Sequence, residues 1–127
     1  PELGLGWVYE MAKPRGAEAT PIVVDGVMYV SSAWSVVYAL DAKTGDEPRG
    51  PFRLGSVFNI YSSPVAAAGR IYVTDRNGKT LVMSNDAEPK AITLNKLDDR
   101  FSASAALVGA AIFLRGEKFL YCIEGKD

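Results

Sequence analysis

A β-propeller, an all-β fold of four-stranded antiparallel blades stacked around an axis, is the architecture this sequence predicts. The first observation is a repeat. Residues 20–30 read TPIVVDGVMYV, residues 63–73 SPVAAAGRIYV and residues 104–114 SAALVGAAIFL. Pro21 aligns with Pro64, Gly26 with Gly69 and Tyr29 with Tyr72. In the third copy Ala105 replaces proline, Phe113 replaces tyrosine and Gly109 falls one place early. The second observation is that each copy is a pair of short β-branched or aromatic runs around a turn signal, the pattern of an antiparallel meander. The third is the spacing: a period of roughly 40 to 45 residues with about four strands in each repeat is the signature of propeller blades.

The elements follow in order. Leu5–Met11 alternates as an isolated strand, and Lys13-Pro14-Arg15-Gly16 breaks it. Residues 20–24, 27–30 and 36–40 are three strands, turned at Asp25-Gly26 and closed by Asp41-Ala42-Lys43-Thr44-Gly45. Phe52-Arg53-Leu54 is the outer strand, beside a Pro48, Gly50 and Pro51 cluster that suits an edge because proline cannot donate to a ladder. Blade one is therefore expected over about 17–55. Blade two, about 57–95, has an inner strand at 59–68, then 70–74, a turn at Asn77-Gly78, 79–84 and 90–94. Blade three, about 100–127, has strands at 102–108, 111–114 and 119–123, and lacks a fourth. The strand missing there is of the type left over at residues 5–11. The expectation is that this strand completes the last blade of a partner chain.

Composition narrows the chemistry. The 127 residues carry a net charge of −1, which gives no electrostatic case for nucleic acid or an anionic membrane surface. No apolar run is long enough to span a bilayer as a helix. The chain contains no histidine, so a Ser-His-Asp or Cys-His triad, a His-ligated zinc and C-x-x-C-H haem attachment are excluded within it. Cys122 is the single cysteine and forms no internal disulfide. The sequence starts at Pro1 with neither methionine nor a basic-then-apolar leader, so no signal peptide is expected in it. Lys13, Arg15 and Arg49 stand near turns and read as solvated. Tyr29, Tyr72 and Phe113 share one repeat position and read as core. Trp7 and Trp34 read as packing between blades. Asp98, Asp99 and Asn95 are chemically suited to calcium, but their pattern is that of a polar turn before a strand.

The run Tyr38-Ala39-Leu40-Asp41-Ala42-Lys43-Thr44-Gly45, after Gly26-Val27-Met28-Tyr29-Val30, resembles the repeat of the pyrroloquinoline-quinone (PQQ) propellers. Residues 3–47, from Trp7-Val8-Tyr9 through Arg15-Gly16-Ala17-Glu18-Ala19-Thr20-Pro21 to Trp34-Ser35-Val36-Val37, resemble PQQ-dependent alcohol dehydrogenases. Residues 57–127, with Tyr61-Ser62-Ser63-Pro64-Val65-Ala66 and Leu120-Tyr121-Cys122-Ile123, resemble the non-enzymatic PQQ-like repeat proteins of the outer-membrane assembly lipoprotein type. The change of character near residues 47–51 suggests a chimeric or designed chain.

The dehydrogenase resemblance implies a quinone contact at Glu18, expected to be vestigial here. It also implies adjacent cysteines that Cys122 cannot supply, a calcium set and a catalytic aspartate, for which no matching motif stands in the chain. No catalytic residue, metal site or cofactor is therefore expected. The functional expectation is a non-catalytic scaffold or interaction module that self-assembles into a ring; the alternative is a PQQ-binding redox protein that uses calcium. The expected assembly is a homodimer closing six blades, with a nine-bladed homotrimer as runner-up. The resemblance implies a periplasmic setting.

Overall fold

The computed structural model describes residues 2–11, 19–86 and 88–125. These form eleven strands in three antiparallel sheets, with one 3-10 turn at Ala33–Ser35. The first sheet runs β1 (Ile22–Val24), β2 (Val27–Ser32), β3 (Val36–Asp41) and β4 (Arg49–Arg53). The second runs β5 (Val65–Ala67), β6 (Arg70–Thr74), β7 (Lys79–Ser84) and β8 (Ala91–Lys96). The third has β9 (Ala106–Val108), β10 (Ala111–Arg115) and β11 (Leu120–Glu124). Each sheet is a simple up-and-down meander. Strands β1, β5 and β9 lie side by side as the innermost strand of each blade.

The hairpins explain the repeat and its one irregularity. Asp25 and Gly26 both take positive φ, as do Ala68 and Gly69. Two positive φ values in a two-residue loop make the turn that matches strand twist, with glycine at the second place. In the third hairpin only Gly109 is positive, so glycine moves to the first place. The early glycine marks a different turn rather than a slipped register: Phe113 still pairs with Ala106, as Tyr72 pairs with Val65 and Tyr29 with Ile22.

Alternation gives each blade two faces. The face of blade one that carries Tyr29, Val37 and Ala39 meets Ile71, Val73, Leu81 and Met83 of blade two, with Leu54, Val57 and Ile60 filling the join. Tyr72, Thr80 and Val82 on the other face of blade two look toward Ile112 and Ile123 of blade three, across a crevice of about 290 Å³. Phe113 holds the same place in blade three, where no fourth blade follows among the described residues. This explains why Tyr29 is buried while Tyr72 and Phe113 are only half-buried. The aromatic at this position packs on the next blade, and burial falls as the next blade becomes less complete.

Three expectations are corrected. Leu5–Met11 forms no strand within the single chain, where Trp7 and Tyr9 lie against blade one instead. Only Val65–Ala67 of the segment 59–68 is a strand, because Ile60 and Ser62 are buried in an irregular lead-in, where Ser62 Oγ donates to the Thr74 carbonyl at 2.7 Å, and the inner strand expected at 102–108 is likewise only Ala106–Val108. Trp34 is 62% exposed rather than wedged between blades, since it sits in the β2–β3 turn at φ 61°. The other tryptophan, Trp7, packs on blade one of its own chain. Its Nε1 donates to the Ala42 carbonyl at 3.3 Å, and its ring lies over Gly45, where a Cβ would come within 2.6 Å.

Candidate functional site

The lead-ins to the inner strands and the β2–β3, β6–β7 and β10–β11 turns gather at one end of the blades. At this end the blades are stitched by a repeated hydrogen bond. Thr20 N donates to Ser63 Oγ at 2.7 Å, and Ser63 N donates to Ser104 Oγ at 2.8 Å. Residues 20, 63 and 104 open the three repeats, so one sequence position both starts each inner strand and ties it to its neighbour. Below the stitch, Ile22, Val23, Val24, Val65, Ala66 and Leu107 line an open aliphatic hollow.

Two buried carboxylates organise the turns of this end. Asp75 Oδ1 accepts from Asn77 N and Lys79 N at 2.9 Å each, and Oδ2 accepts from Phe58 N at 3.1 Å. Asp75, rather than the Asn77-Gly78 pair, therefore sets the four-residue β6–β7 loop: of the pair, only Gly78 takes a positive φ. Asp99 does the same work in blade three. Its carboxylate accepts from Arg100 N at 2.7 Å, Lys118 N at 3.1 Å, Phe119 N at 3.2 Å and the Tyr121 hydroxyl at 3.2 Å. Burial alone pushes the Asp99 carboxyl up; the backbone donors and Tyr121 outweigh it and hold the group below the usual carboxylate range. The same burial and the Asp99 charge push the Tyr121 phenol up. Gly116 is required beside it, because a Cβ there would stand 2.1 Å from Asp99 Oδ2.

Three arginines surround this scaffold. Arg76 Nη1 donates to Ser102 Oγ at 3.1 Å, its Nη2 lies 3.4 Å from Glu117 Oε1, and its guanidinium stacks 5.2 Å from the Tyr61 ring centre. Arg100 Nε is 3.9 Å from the same Glu117 oxygen. Arg115 reaches a neighbouring cavity of about 520 Å³.

Glu18 lies outside the described residues, as do Lys13 and Arg15. Asp99 is committed to the β10–β11 turn, which fits its reading as part of a polar turn. Asn95, Asp98 and Asp99 are not brought together as a donor set: among the described residues no three Asp, Glu, His or Cys side chains converge to hold a metal. A quinone with calcium needs carboxylate oxygens with open lone pairs beside a flat platform. Here Asp75 and Asp99 spend theirs on N–H donors, and the hollow beside the inner strands is aliphatic. Asp75 and Asp99 therefore offer no open donor set for that pair. The arginine cluster was not legible in the sequence, because Arg76, Arg100 and Arg115 come from three separate segments. The one signal that could have found it is that Arg76 and Glu117 occupy corresponding turns of successive repeats.

Three sheets with adjacent inner strands, meander topology and a shared face of loops define a β-propeller segment. The chain belongs to the family described as glucose/ethanol/alcohol dehydrogenase, beta-propeller domain, which it matches over residues 3–112. That match runs through residues 47–51, so the change of character there lies inside one family's domain. The chain is 38% identical over 106 residues to 1-butanol dehydrogenase (cytochrome c) of Thauera butanivorans, an alignment covering 77% of this chain and 15% of that protein. The quinohemoprotein alcohol dehydrogenase ADHIIG of Pseudomonas putida superposes with a TM-score of 0.74 at 24% identity, over 95% of this chain and 21% of the other. BamB of Moraxella catarrhalis superposes with a TM-score of 0.71 at 18% identity, over 92% of this chain and 35% of the other. The last two likenesses are of fold. The chain therefore spans a small part of the length of the proteins it matches.

Proposed function

We propose that this chain is a non-catalytic propeller segment whose role is to complete a ring and present its loop face to partners. The observation that carries the reading is the pair of unlike ends. At blade three, β11 has a bare outer edge, and Val108 and Leu120 are 63% and 75% exposed. At blade one, residues 2–11 already lie over the outward face: Trp7 rests on Ala42 and Gly45, the Tyr9 ring sits edge-on to Tyr38 at 5.7 Å, and the Tyr9 hydroxyl donates to Glu47. Tyr38 is consequently only 4% exposed at the end of the arc. A second copy docking its blade three on this face would bring the bare β11 edge alongside residues 5–11, which would then become the fourth strand. Two copies give six blades, inside the range of about four to eight that propellers adopt. The two-fold axis makes both junctions equivalent. A nine-bladed trimer is the other closed solution. Removing residues 1–12 tests the junction: the expected result is loss of the assembly and aggregation through the exposed strand edge. A truncated chain that keeps its oligomer size contradicts the proposal.

The second reading, a PQQ-binding redox protein of periplasmic setting, is favoured by the family match, which includes position 18. Incubation with quinone and calcium, followed by spectroscopy and dye-linked alcohol oxidation, separates the two. The scaffold reading expects no bound chromophore and no turnover. Quinone binding that Glu18→Gln abolishes would replace it.

A further inference from the structure

We propose that blade three carries a binding site for small polyanions, molecules with two or more carboxylate or phosphate groups. The site is the cavity of about 520 Å³ lined by Arg100, Ser102, Ala103, Arg115, Gly116 and Glu117. Its volume lies within the range of about 300–1,000 Å³ typical of small-molecule sites.

Charge gives the ligand class. Arg100 and Arg115 line the cavity, and Arg76 reaches it from blade two through Ser102 and Glu117. Two of the three guanidinium groups, those of Arg76 and Arg100, share one carboxylate and turn to the same Glu117 Oε1. Arg115 has no hydrogen bond or ion pair among the described residues. Guanidinium groups bind carboxylate and phosphate through paired N–H donors, and they bind most tightly when several converge.

Arg76 and the turn that carries Glu117 are held in place before any ligand arrives. Arg76 is fixed over the Tyr61 ring. Asp99 clamps the β10–β11 turn that carries Glu117, and Glu117 N donates to the Arg100 carbonyl at 2.9 Å. Phe101, 1% exposed, bridges to Gly116 and ties the segment between Arg100 and Ser102 to the β10–β11 turn. Glu117 then acts as an internal stand-in for the ligand, occupying two of the cations until a stronger polyanion displaces it. The inference uses blade three and Arg76, and depends on neither ring closure nor quinone binding.

The test is an amide chemical-shift titration of the purified chain with citrate and, separately, with inorganic pyrophosphate at low ionic strength. The expected result is saturable shifts at Ser102, Ala103, Gly116 and Glu117 with at least one of the two. Saturation with citrate alone assigns the carboxylate class, and saturation with pyrophosphate alone the phosphate class. Arg115→Ala should weaken binding about tenfold, the value of one charge-assisted contact. Glu117→Gln should tighten it several-fold by releasing Arg76 and Arg100. Arg70→Ala, at the opposite end of β6, should leave it unchanged. Shifts that do not saturate, equal losses in the Arg115 and Arg70 variants, or weaker binding by Glu117→Gln would each overturn the proposal.

Discussion

Replacing Ile71 with alanine removes three carbons from the join between blades one and two. The side chain is 0% exposed, among Tyr29, Val37, Val73 and Leu81. At about 0.8 kcal/mol for each buried carbon, the transfer term is about 2.4 kcal/mol. The cavity left in a join closed from both sides adds to it, within the range of about 2–5 kcal/mol seen for such truncations. The expected loss is therefore about 3 kcal/mol, a large part of the 5–15 kcal/mol or so that stabilises a typical domain. Ile92 provides the internal control. It lies on the outer strand β8, 51% exposed, and Ile92→Ala should change stability by less than about 1 kcal/mol. Urea denaturation followed by tryptophan fluorescence and by circular dichroism measures both. If Ile71→Ala costs no more than Ile92→Ala, the sheets are not stacked face to face as blades.

Three further outcomes follow from the polar turns and the N-terminal segment. Asp99→Asn should destabilise the chain near neutral pH. Because the folded carboxyl is held below its ordinary value of about 4, that stabilisation is complete above the ordinary value and fades as pH falls through the folded one, so wild type and variant should converge in acid denaturation. Gly116→Ala should destabilise more than Gly125→Ala, since only at Gly116 does the new Cβ collide with Asp99; thermal melts of the pair decide it. The Tyr9 phenol is pushed up to about 12, first by its hydrogen bond to Glu47, then by burial and the Glu47 charge. Glu47→Gln should return one phenol toward about 10 in an ultraviolet titration, and in wild type the contribution that seats residues 2–11 should be complete below about 10 and fade as pH rises from there through the raised value.

The sequence disclosed what the backbone period controls. Gly26, Gly69 and Gly109 mark the inner hairpins, and Tyr29, Tyr72 and Phe113 mark one face, because turn geometry and alternation leave local signatures. The misread parts depend on contacts between segments. An apolar stretch such as Val57 to Val65 has the same composition whether it pairs as a strand or is buried as an irregular lead-in. Here the Asp75 carboxylate draws Phe58 N away from a ladder and favours the second. Trp34 looked like an interblade residue because bulk is legible in sequence, whereas its place in a turn at positive φ is not. Residues 5–11 alternate as a strand should, yet a strand also needs a free edge, and the nearest neighbour that one chain offers them is a sheet face. The arginine cavity depends on three segments meeting, with Asp99 holding the turn that completes it.

Light scattering on the purified chain tests the central claim, that unlike ends make this arc close on copies of itself. The predicted result is a single species of about twice the 13.7 kDa chain mass, with three times that mass marking the nine-bladed ring. A stable monomer at concentrations well above those of ordinary assembly would contradict it, and the covered face of blade one would then be a finished surface rather than half of a junction.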